Sequence, residues 1–147
     1  MLTVIEKVIF LQNVEVFSDV STENLAYLAA IAEEVSTAAD DIIYHENEPS
    51  NALYLVLEGQ VRQHRNGQEI TVNNPKEAFG AWALLDTAPR VSTATALSDC
   101  KLLRIDREDF FDLLADHTQI TQDVFKSVVQ RLRMLMENLR PSPSVQR

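Results

Sequence analysis

The residues best suited to binding chemistry lie in one stretch, FGAWALLDTAPRVSTATA, which runs from Phe79 to Ala96. Gly80 would let a ligand approach the backbone closely, and the free N–H groups that open the following helix-like run would face a negative charge. Arg90 can donate two parallel hydrogen bonds to a phosphate. The stretch therefore predicts an anion cradle, although a hairpin-like loop with one surface arginine fits the spacing equally well.

Residues for catalysis or metal binding are otherwise sparse. The sequence has no GxSxG, HExxH, P-loop or GxGxxG motif. Its single cysteine, Cys100, excludes an internal disulfide and is interpreted as a packing residue. Three histidines, His45, His64 and His117, are too widely spread to predict a metal site. We therefore expect a protein that is not an enzyme and that has no cofactor and no metal.

Composition narrows the class of protein further. The 147 residues suit one domain, and 46% hydrophobic and 24% charged residues are an ordinary globular balance. A net charge of -9 repels nucleic acid at long range. No apolar run is long enough to span a membrane, and the first residues, MLTVIEKVIF, lack the pattern of a signal peptide. We expect a cytoplasmic protein that binds neither nucleic acid nor membrane.

Helices are predicted at the start of the chain. Thr3 and Glu6 form a capping-box pattern, and a second helix is predicted from Ser21. Apolar residues at helical spacing carry this second helix to position 35, namely Leu25, Leu28, Ala32 and Val35.

Short β-like runs follow, and Asn66-Gly67 between two of them is a strong hairpin signal. The runs are Ile42 to Tyr44, Ala52 to Leu57, Val61 to Arg65, Gln68 to Val72, Val91 to Leu97 and Cys100 to Ile105. The order of elements predicts an α+β fold, an antiparallel β jelly-roll barrel flanked by N-terminal helices and two C-terminal helices.

One C-terminal helix is predicted to begin at Asp106. The last helix is predicted from Thr121 to Arg140, because Pro141 cannot continue a helix. The last helix carries a wide apolar stripe, made of Phe125, Val128, Val129, Leu132, Leu135, Met136 and Leu139. This stripe either docks on the barrel or pairs with a second copy, and we favour a homodimer through Thr121 to Arg140.

Taken together, these segments make the chain similar to the cyclic nucleotide-binding domain family, the module of the catabolite activator protein and of the regulatory subunits of cAMP-dependent protein kinase. The 79–93 segment resembles the family's phosphate-binding cassette, which usually reads FGE, an aliphatic residue, ALL, a spacer and PR. VFSDVSTENLAYLAAIAEEV, ALYLVLEGQV with Gly59, and LLRIDREDFFDLL resemble the helical opening, the central strands and the closing strand and helix. The resemblance implies one domain over 1–140, with helices over 1–35, a barrel over 36–105, helices over 106–140 and a flexible 141–147 tail.

The resemblance also implies a ligand site. By position, Arg90 would pair with the cyclic phosphate, and Gly80 with the amides near Trp82 and Ala83 would contact ribose and phosphate oxygens. Val91 stands where a threonine often contacts the phosphate or a guanine amine. The implied ligand-binding residues are Gly80, Ala81, Trp82, Ala83, Arg90, Val91 and Ser92.

The departures from the family pattern bear on affinity. Ala81 replaces the glutamate that accepts hydrogen bonds from the ribose 2′-hydroxyl, and Trp82 replaces an aliphatic residue. Asp40, Asn47 and Lys76 stand near three turn glycines of the family, where a lysine would be strained or the turn differently built.

Two interpretations of the function remain open. The chain is a regulatory sensor of a cyclic nucleotide, with cAMP bound weakly or not at all, that signals through its C-terminal helices to a dimer mate or an effector protein. Alternatively, it is a degenerate, non-binding interaction scaffold or the binder of another small anion. We expect no effector domain within these residues, so the chain acts alone or as one end of a larger protein.

Overall fold

The computed structural model of the protein describes residues 1–80, 84–86 and 88–139. Within them the chain forms helices and eight strands in two sheets. The α-helices are α1 (Val4–Leu11), α2 (Thr22–Ile31), α3 (Arg107–Asp116) and α4 (Thr118–Asn138), with a 3₁₀ turn at Glu15–Phe17. The strands are β1 (Ala32–Thr37), β2 (Ile42–Tyr44), β3 (Ala52–Glu58), β4 (Val61–Arg65), β5 (Gln68–Asn73), β6 (Ala78–Phe79), β7 (Thr93–Ala96) and β8 (Cys100–Asp106).

The two N-terminal helices begin where the sequence predicts. The Thr3 side chain accepts from the backbone N–H of Glu6, and the Glu6 carboxylate accepts from the backbone N–H of Thr3, which completes the capping box. The Ser21 side chain accepts from the N–H of Asn24 at the start of α2.

The predicted end of the second helix was wrong. Helix α2 ends at Ile31, and Ala32 and Val35 lie in strand β1. Strand β1 pairs antiparallel with β8, with Ala32 opposite Ile105 and Val35 opposite Leu102. Pairing with a distant strand therefore overrides the helical spacing of these residues.

The strands form two antiparallel four-stranded sheets. One sheet has the order β1-β8-β3-β6, and the other has the order β2-β7-β4-β5. This is the α+β jelly-roll fold that the sequence predicts. Strands β1 and β6 were not predicted, and β7 is shorter than the predicted Val91 to Leu97, so Val91 precedes the strand.

Strand β3 is buried on both faces. Its alternate residues Leu53, Leu55 and Leu57 pack with the helices in one hydrophobic cluster. The intervening residues, Tyr54 and Val56 among them, pack between the two sheets in a second cluster. The helices therefore form a layer over the β1-β8-β3-β6 sheet, and the space between the sheets is a separate core.

Several tight turns use left-handed backbone. Asn66 and Gly67, in the β4–β5 hairpin, have φ of 53° and 79°, as a type I′ turn requires. Asp40, Asn47 and Lys76 have φ of 72°, 68° and 78°. The three positions therefore keep left-handed turns without glycine, and at Lys76 this conformation is strained.

The C-terminal helices lie close to their predicted positions. Asp106 precedes α3, but its side chain makes no capping hydrogen bond. Helix α4 begins at Thr118, three residues before the predicted Thr121, and Arg140 lies outside the described residues. Much of the apolar stripe is exposed, namely Phe125, Leu132, Leu135, Met136 and Leu139. The alternative in which this stripe docks on the barrel is therefore wrong for those residues.

Across the described residues, we find no helix that combines the length and the apolar character needed to cross a membrane.

Candidate functional site

A cavity of about 400 Å³ opens beside the segment that the sequence singled out. Four predicted site residues, Gly80, Arg90, Val91 and Ser92, line this cavity. Its volume falls in the range of small-molecule sites, roughly 300–1,000 Å³. The remaining lining residues are Tyr44, Ser50, Gln63, Asp86, Ala88 and Pro89.

The guanidinium of Arg90 is held against the wall of the cavity. The residue is 5% exposed, and the side-chain Nη2 donates to the carbonyl oxygen of Ala52 at 2.7 Å. Its Cζ lies 4.0 Å from the centre of the Tyr44 ring, which is a cation–π contact. The ring and the carbonyl therefore hold this guanidinium, and no described acidic side chain forms an ion pair with it.

Gly80 makes room for the arginine. It has φ of 72°, and a Cβ built on it would collide with Nη1 of Arg90. The sequence predicts that this glycine admits a ligand to the backbone. In the structure, the group that closely approaches Gly80 is Arg90 itself.

Arg90 forms no ion pair within the described part of the chain. No carboxylate there lies within 4 Å of its nitrogens, and the buried Nε has no acceptor. Burial lowers the pKa of Arg90 below its ordinary value, but a guanidinium stays charged at neutral pH. Burial likewise raises the pKa of the Tyr44 hydroxyl, so the ring under the guanidinium carries no charge. A buried, unpaired cation beside a cavity favours an anionic ligand.

The loop between β2 and β3 holds the second half of the cassette in place. Its hydrogen bonds are Arg90 N to Glu48 O, Asn47 N to Arg90 O and Ser50 Oγ to Ala88 O, each at 2.8 Å, and Glu46 N to Thr93 Oγ1 at 3.0 Å. The Glu48 carboxylate closes the loop by accepting from His45 N at 2.8 Å and His45 Nδ1 at 2.6 Å. Both the backbone and the side chain of Arg90 are therefore fixed by their surroundings.

The other described site residues have different environments. Ser92 is buried and donates to Gln63 Oε1 at 2.8 Å, and Gln63 Nε2 donates to Asn73 Oδ1 at 2.6 Å. Val91 is 72% exposed at the rim of the cavity. The Asp86 carboxylate, also at the rim, accepts from the backbone N–H of Ala88 at 3.0 Å.

Sequence reasoning missed three residues of the cavity that lie outside the cassette, Tyr44, Ser50 and Gln63. Each is far from Arg90 in the sequence, and an aromatic, hydroxyl or amide residue gives no signal by itself that the fold will bring it to this cavity. Ala81, Trp82 and Ala83 lie outside the described residues, so nothing is assigned to their positions here.

The remaining candidate residues do not converge. Cys100 is buried, and its thiol lies 3.3 Å from Gln60 O and 3.2 Å from Ser98 O. His45 pairs with Glu48, His64 forms a hydrogen bond with Thr95, and the His117 ring packs at a tilt against the ring of Tyr27. Among the described residues, no group of three or more potential ligands is arranged to hold a metal.

Helix α4 is attached to the start of the 3₁₀ turn and to a residue that follows the turn. The Ser127 hydroxyl, which is buried, accepts from the backbone N–H of Asp19 at 3.0 Å. One turn further along, Arg131 forms an ion pair with Glu15 at 2.6 Å. The charge of Arg131 is therefore engaged by Glu15.

Comparison with protein families gives one match. The model of the cyclic nucleotide-binding domain matches residues 34–117. The match covers strands β2 to β8 in full and all of β1 except its first two residues.

Individual relatives carry this module in different contexts. The CRP-like cAMP-activated global transcriptional regulator of Mycobacterium tuberculosis is 27% identical over 129 residues, which are 84% of this chain and 58% of the regulator. The lysophospholipase nte1 of Emericella nidulans is 32% identical over 119 residues, which are 78% of this chain and 8% of that protein. The chain thus spans only part of either relative.

Among solved structures, the N-terminal domain of a transcriptional regulator from Streptomyces coelicolor A3(2) superposes with a TM-score of 0.82 at 30% identity. The superposition covers 93% of this chain and 99% of that domain.

Proposed function

The chain belongs to the cyclic nucleotide-binding domain family, and on that premise we propose that it is a regulatory module whose cavity binds a small phosphate ester of the cyclic nucleotide type. The observation that carries the proposal is the guanidinium of Arg90, which is buried at the wall of a 400 Å³ cavity with no carboxylate partner among the described residues. A phosphate in the cavity would supply the missing negative charge.

The ligand we propose is cAMP, bound weakly. The Mycobacterium tuberculosis relative is named as cAMP-activated, which supports this choice. Ala81 offers no side-chain acceptor for a ribose hydroxyl, which lowers the expected affinity. Val91 has no hydroxyl for a guanine amine, so cAMP is preferred over cGMP. The proposed contacts are with Gly80, Ala81, Trp82, Ala83, Arg90, Val91 and Ser92.

We propose that the output passes through the C-terminal helices rather than through catalysis. The same module occurs in a transcriptional regulator and within a lysophospholipase, so the module itself is compatible with very different outputs. Helix α4 exposes its apolar stripe, which supports pairing with a second copy of the chain. The proposed module spans residues 1–140, works in the cytoplasm and binds neither nucleic acid nor membrane.

One observation favours a second function. Ala81 removes the acceptor that the family uses for the ribose, while Gly80 and Arg90 remain. A site that keeps its phosphate partner and loses its ribose partner suits a different small anion, or a scaffold that binds none.

Isothermal titration calorimetry with cAMP, cGMP and inorganic phosphate tests the proposal. We expect weak binding of cAMP, weaker binding of cGMP, and loss of both in Arg90→Ala. Arg65→Ala, which removes an exposed arginine at the end of the hairpin, serves as the control and should bind as the wild type does.

Sub-micromolar affinity for cGMP would contradict the proposed selectivity. Phosphate binding without cAMP binding would favour the small-anion alternative. A wild-type chain that binds none of the three would favour the scaffold.

A further inference from the structure

An aromatic cluster lies directly beneath the candidate site. The rings of Tyr54 and Phe79 are stacked with their centres 5.3 Å apart, and the ring of Tyr44 lies 6.0 Å and 6.1 Å from them. All three side chains are buried in the core between the sheets. Among them, Tyr44 is the ring that lies under the Arg90 guanidinium and also lines the cavity.

Three groups surround the Arg90 guanidinium, and together they are called its seat. The Tyr44 ring covers one face of the guanidinium, the Ala52 carbonyl accepts from Nη2, and Gly80 lies against Nη1. The Ala52 carbonyl belongs to the backbone, and Gly80 contributes only backbone atoms as long as that position stays glycine. The Tyr44 ring is therefore the one side that a substitution can remove while the backbone of the seat stays intact.

We propose that Tyr44 is a positioning residue for anion binding, which fixes the Arg90 guanidinium at the cavity wall before any ligand arrives. This inference rests on the proposed function, since it assigns how the phosphate partner of that same site is held. An arginine already in place loses little conformational freedom when it meets a phosphate. Without the ring, the side chain regains that freedom, and ligand binding has to restrict it again.

The chemistry of the contact identifies which part of Tyr44 matters. A cation–π contact depends on the face of the ring and not on the hydroxyl. Phenylalanine should therefore replace tyrosine, whereas leucine should not. Tyr54 gives a matched control, because it is equally buried in the same cluster and its ring does not lie under Arg90.

The experiment compares Tyr44→Phe, Tyr44→Leu and Tyr54→Leu with the wild type in two measurements. The first is the dissociation constant for cAMP and for inorganic phosphate, with thermal unfolding recorded for each variant. The second is the NMR shift of the Arg90 side-chain N–H, assigned by its loss in Arg90→Lys. A ring beneath the guanidinium moves this resonance upfield.

We expect Tyr44→Leu to weaken anion binding by about 2- to 30-fold, the range that corresponds to a cation–π contact, and to abolish the upfield shift. Tyr44→Phe should keep both the affinity and the shift. Tyr54→Leu should lose stability as Tyr44→Leu does, but it should keep the shift and the affinity.

Wild-type affinity in a folded Tyr44→Leu, or an equal loss of affinity in Tyr54→Leu, would overturn the inference. If Tyr44→Leu does not fold, the wild type and Tyr44→Phe decide, because the absence of an upfield shift in both would equally overturn it. If the wild type binds no anion, the proposed function fails, and a retained shift would then show that the seat holds Arg90 without serving a ligand.

Discussion

The Nη1 atom of Arg90 packs so closely against Gly80 that a Cβ at this position would clash with it. The glycine also has a left-handed backbone, with φ of 72°. Position 80 therefore has to satisfy two separate requirements, a left-handed backbone conformation and the absence of a side chain that would clash with Arg90.

Gly80→Ala should displace the guanidinium and eliminate anion binding. The positive φ alone costs stability of the order of 1–2 kcal/mol for an L-residue. Gly67→Ala separates the two effects, because Gly67 has φ of 79° and a Cβ there would meet no atom within 4 Å. Calorimetry and chemical denaturation should show a loss of stability in both variants and a loss of binding in Gly80→Ala alone. Equal binding by the two variants would refute the role given to Gly80.

Ala81→Glu should tighten cAMP binding. A hydrogen bond to a charged acceptor is worth roughly 1.5–3 kcal/mol, so we expect a gain of about 10- to 100-fold in affinity. Ala88→Glu is the charge-matched control, because Ala88 also borders the cavity but stands outside the glutamate position of the cassette. Unchanged affinity in Ala81→Glu, measured by calorimetry, would mean that the ribose does not lie beside residue 81.

The sequence anticipated local features better than distant contacts. The capping box at Thr3, the Asn66-Gly67 hairpin and most strands depend on neighbouring residues, and the structure contains them. The continuation of the second helix through Val35 was wrong, because β1 pairs with β8, whose residues lie far away in the sequence.

In the candidate site, too, the residues that are close in sequence could be predicted and the distant ones could not. Gly80 and Arg90 could be identified because they lie in one contiguous motif. Tyr44 could not, since only the fold brings β2 next to the cassette. The function expected for Gly80 also changed, because its neighbour in space is an arginine that sequence spacing alone could not place there.

Acid should destabilise the fold in part through Glu48. Hydrogen bonds from the backbone N–H and then the side chain of His45 lower the pKa of Glu48 below its ordinary value of 4.5. A carboxylate with a lowered pKa contributes stability above its unfolded pKa, and this contribution is lost as the pH falls through the folded value. Glu48→Gln should therefore reduce the fall in Tm below about pH 4.5.

Thermal unfolding between pH 7 and pH 3 measures this effect. Glu69→Gln, on the exposed strand β5, is the control and should leave the acid limb of the curve as in the wild type. An identical acid limb in Glu48→Gln and the wild type would argue against the contribution of Glu48.

Helix α4 should mediate a homodimer. Leu132 is 56% exposed within the apolar stripe, so a charge there would be buried at the interface of two paired helices. Leu132→Glu should convert the dimer to a monomer, whereas Gln130→Glu, an exposed polar position of the same helix, should not. Light scattering at micromolar concentration distinguishes the two states, and a wild-type chain that is strictly monomeric would contradict the prediction.

The attachment of α4 should depend more on Ser127 than on Arg131. Ser127→Ala leaves the N–H of Asp19 without its partner, at a cost of about 1 kcal/mol in the free energy of unfolding. Arg131→Ala removes an ion pair whose side chains are 41% and 62% exposed, so a smaller loss is expected. Urea unfolding of both variants ranks the two contacts, and a larger loss in Arg131→Ala would reverse this assignment.

The two-sided burial of β3 has a consequence for biosynthesis. Its main partner is β8, with Leu53 opposite Ile105 and Leu55 opposite Leu103, and β8 leaves the ribosome long after β3 does. Until then, the most apolar of the described strands has no neighbour on that side and neither of its faces is fully covered. The nascent domain therefore exposes apolar surface until β8 has been synthesised, and its two sheets cannot be completed before that point.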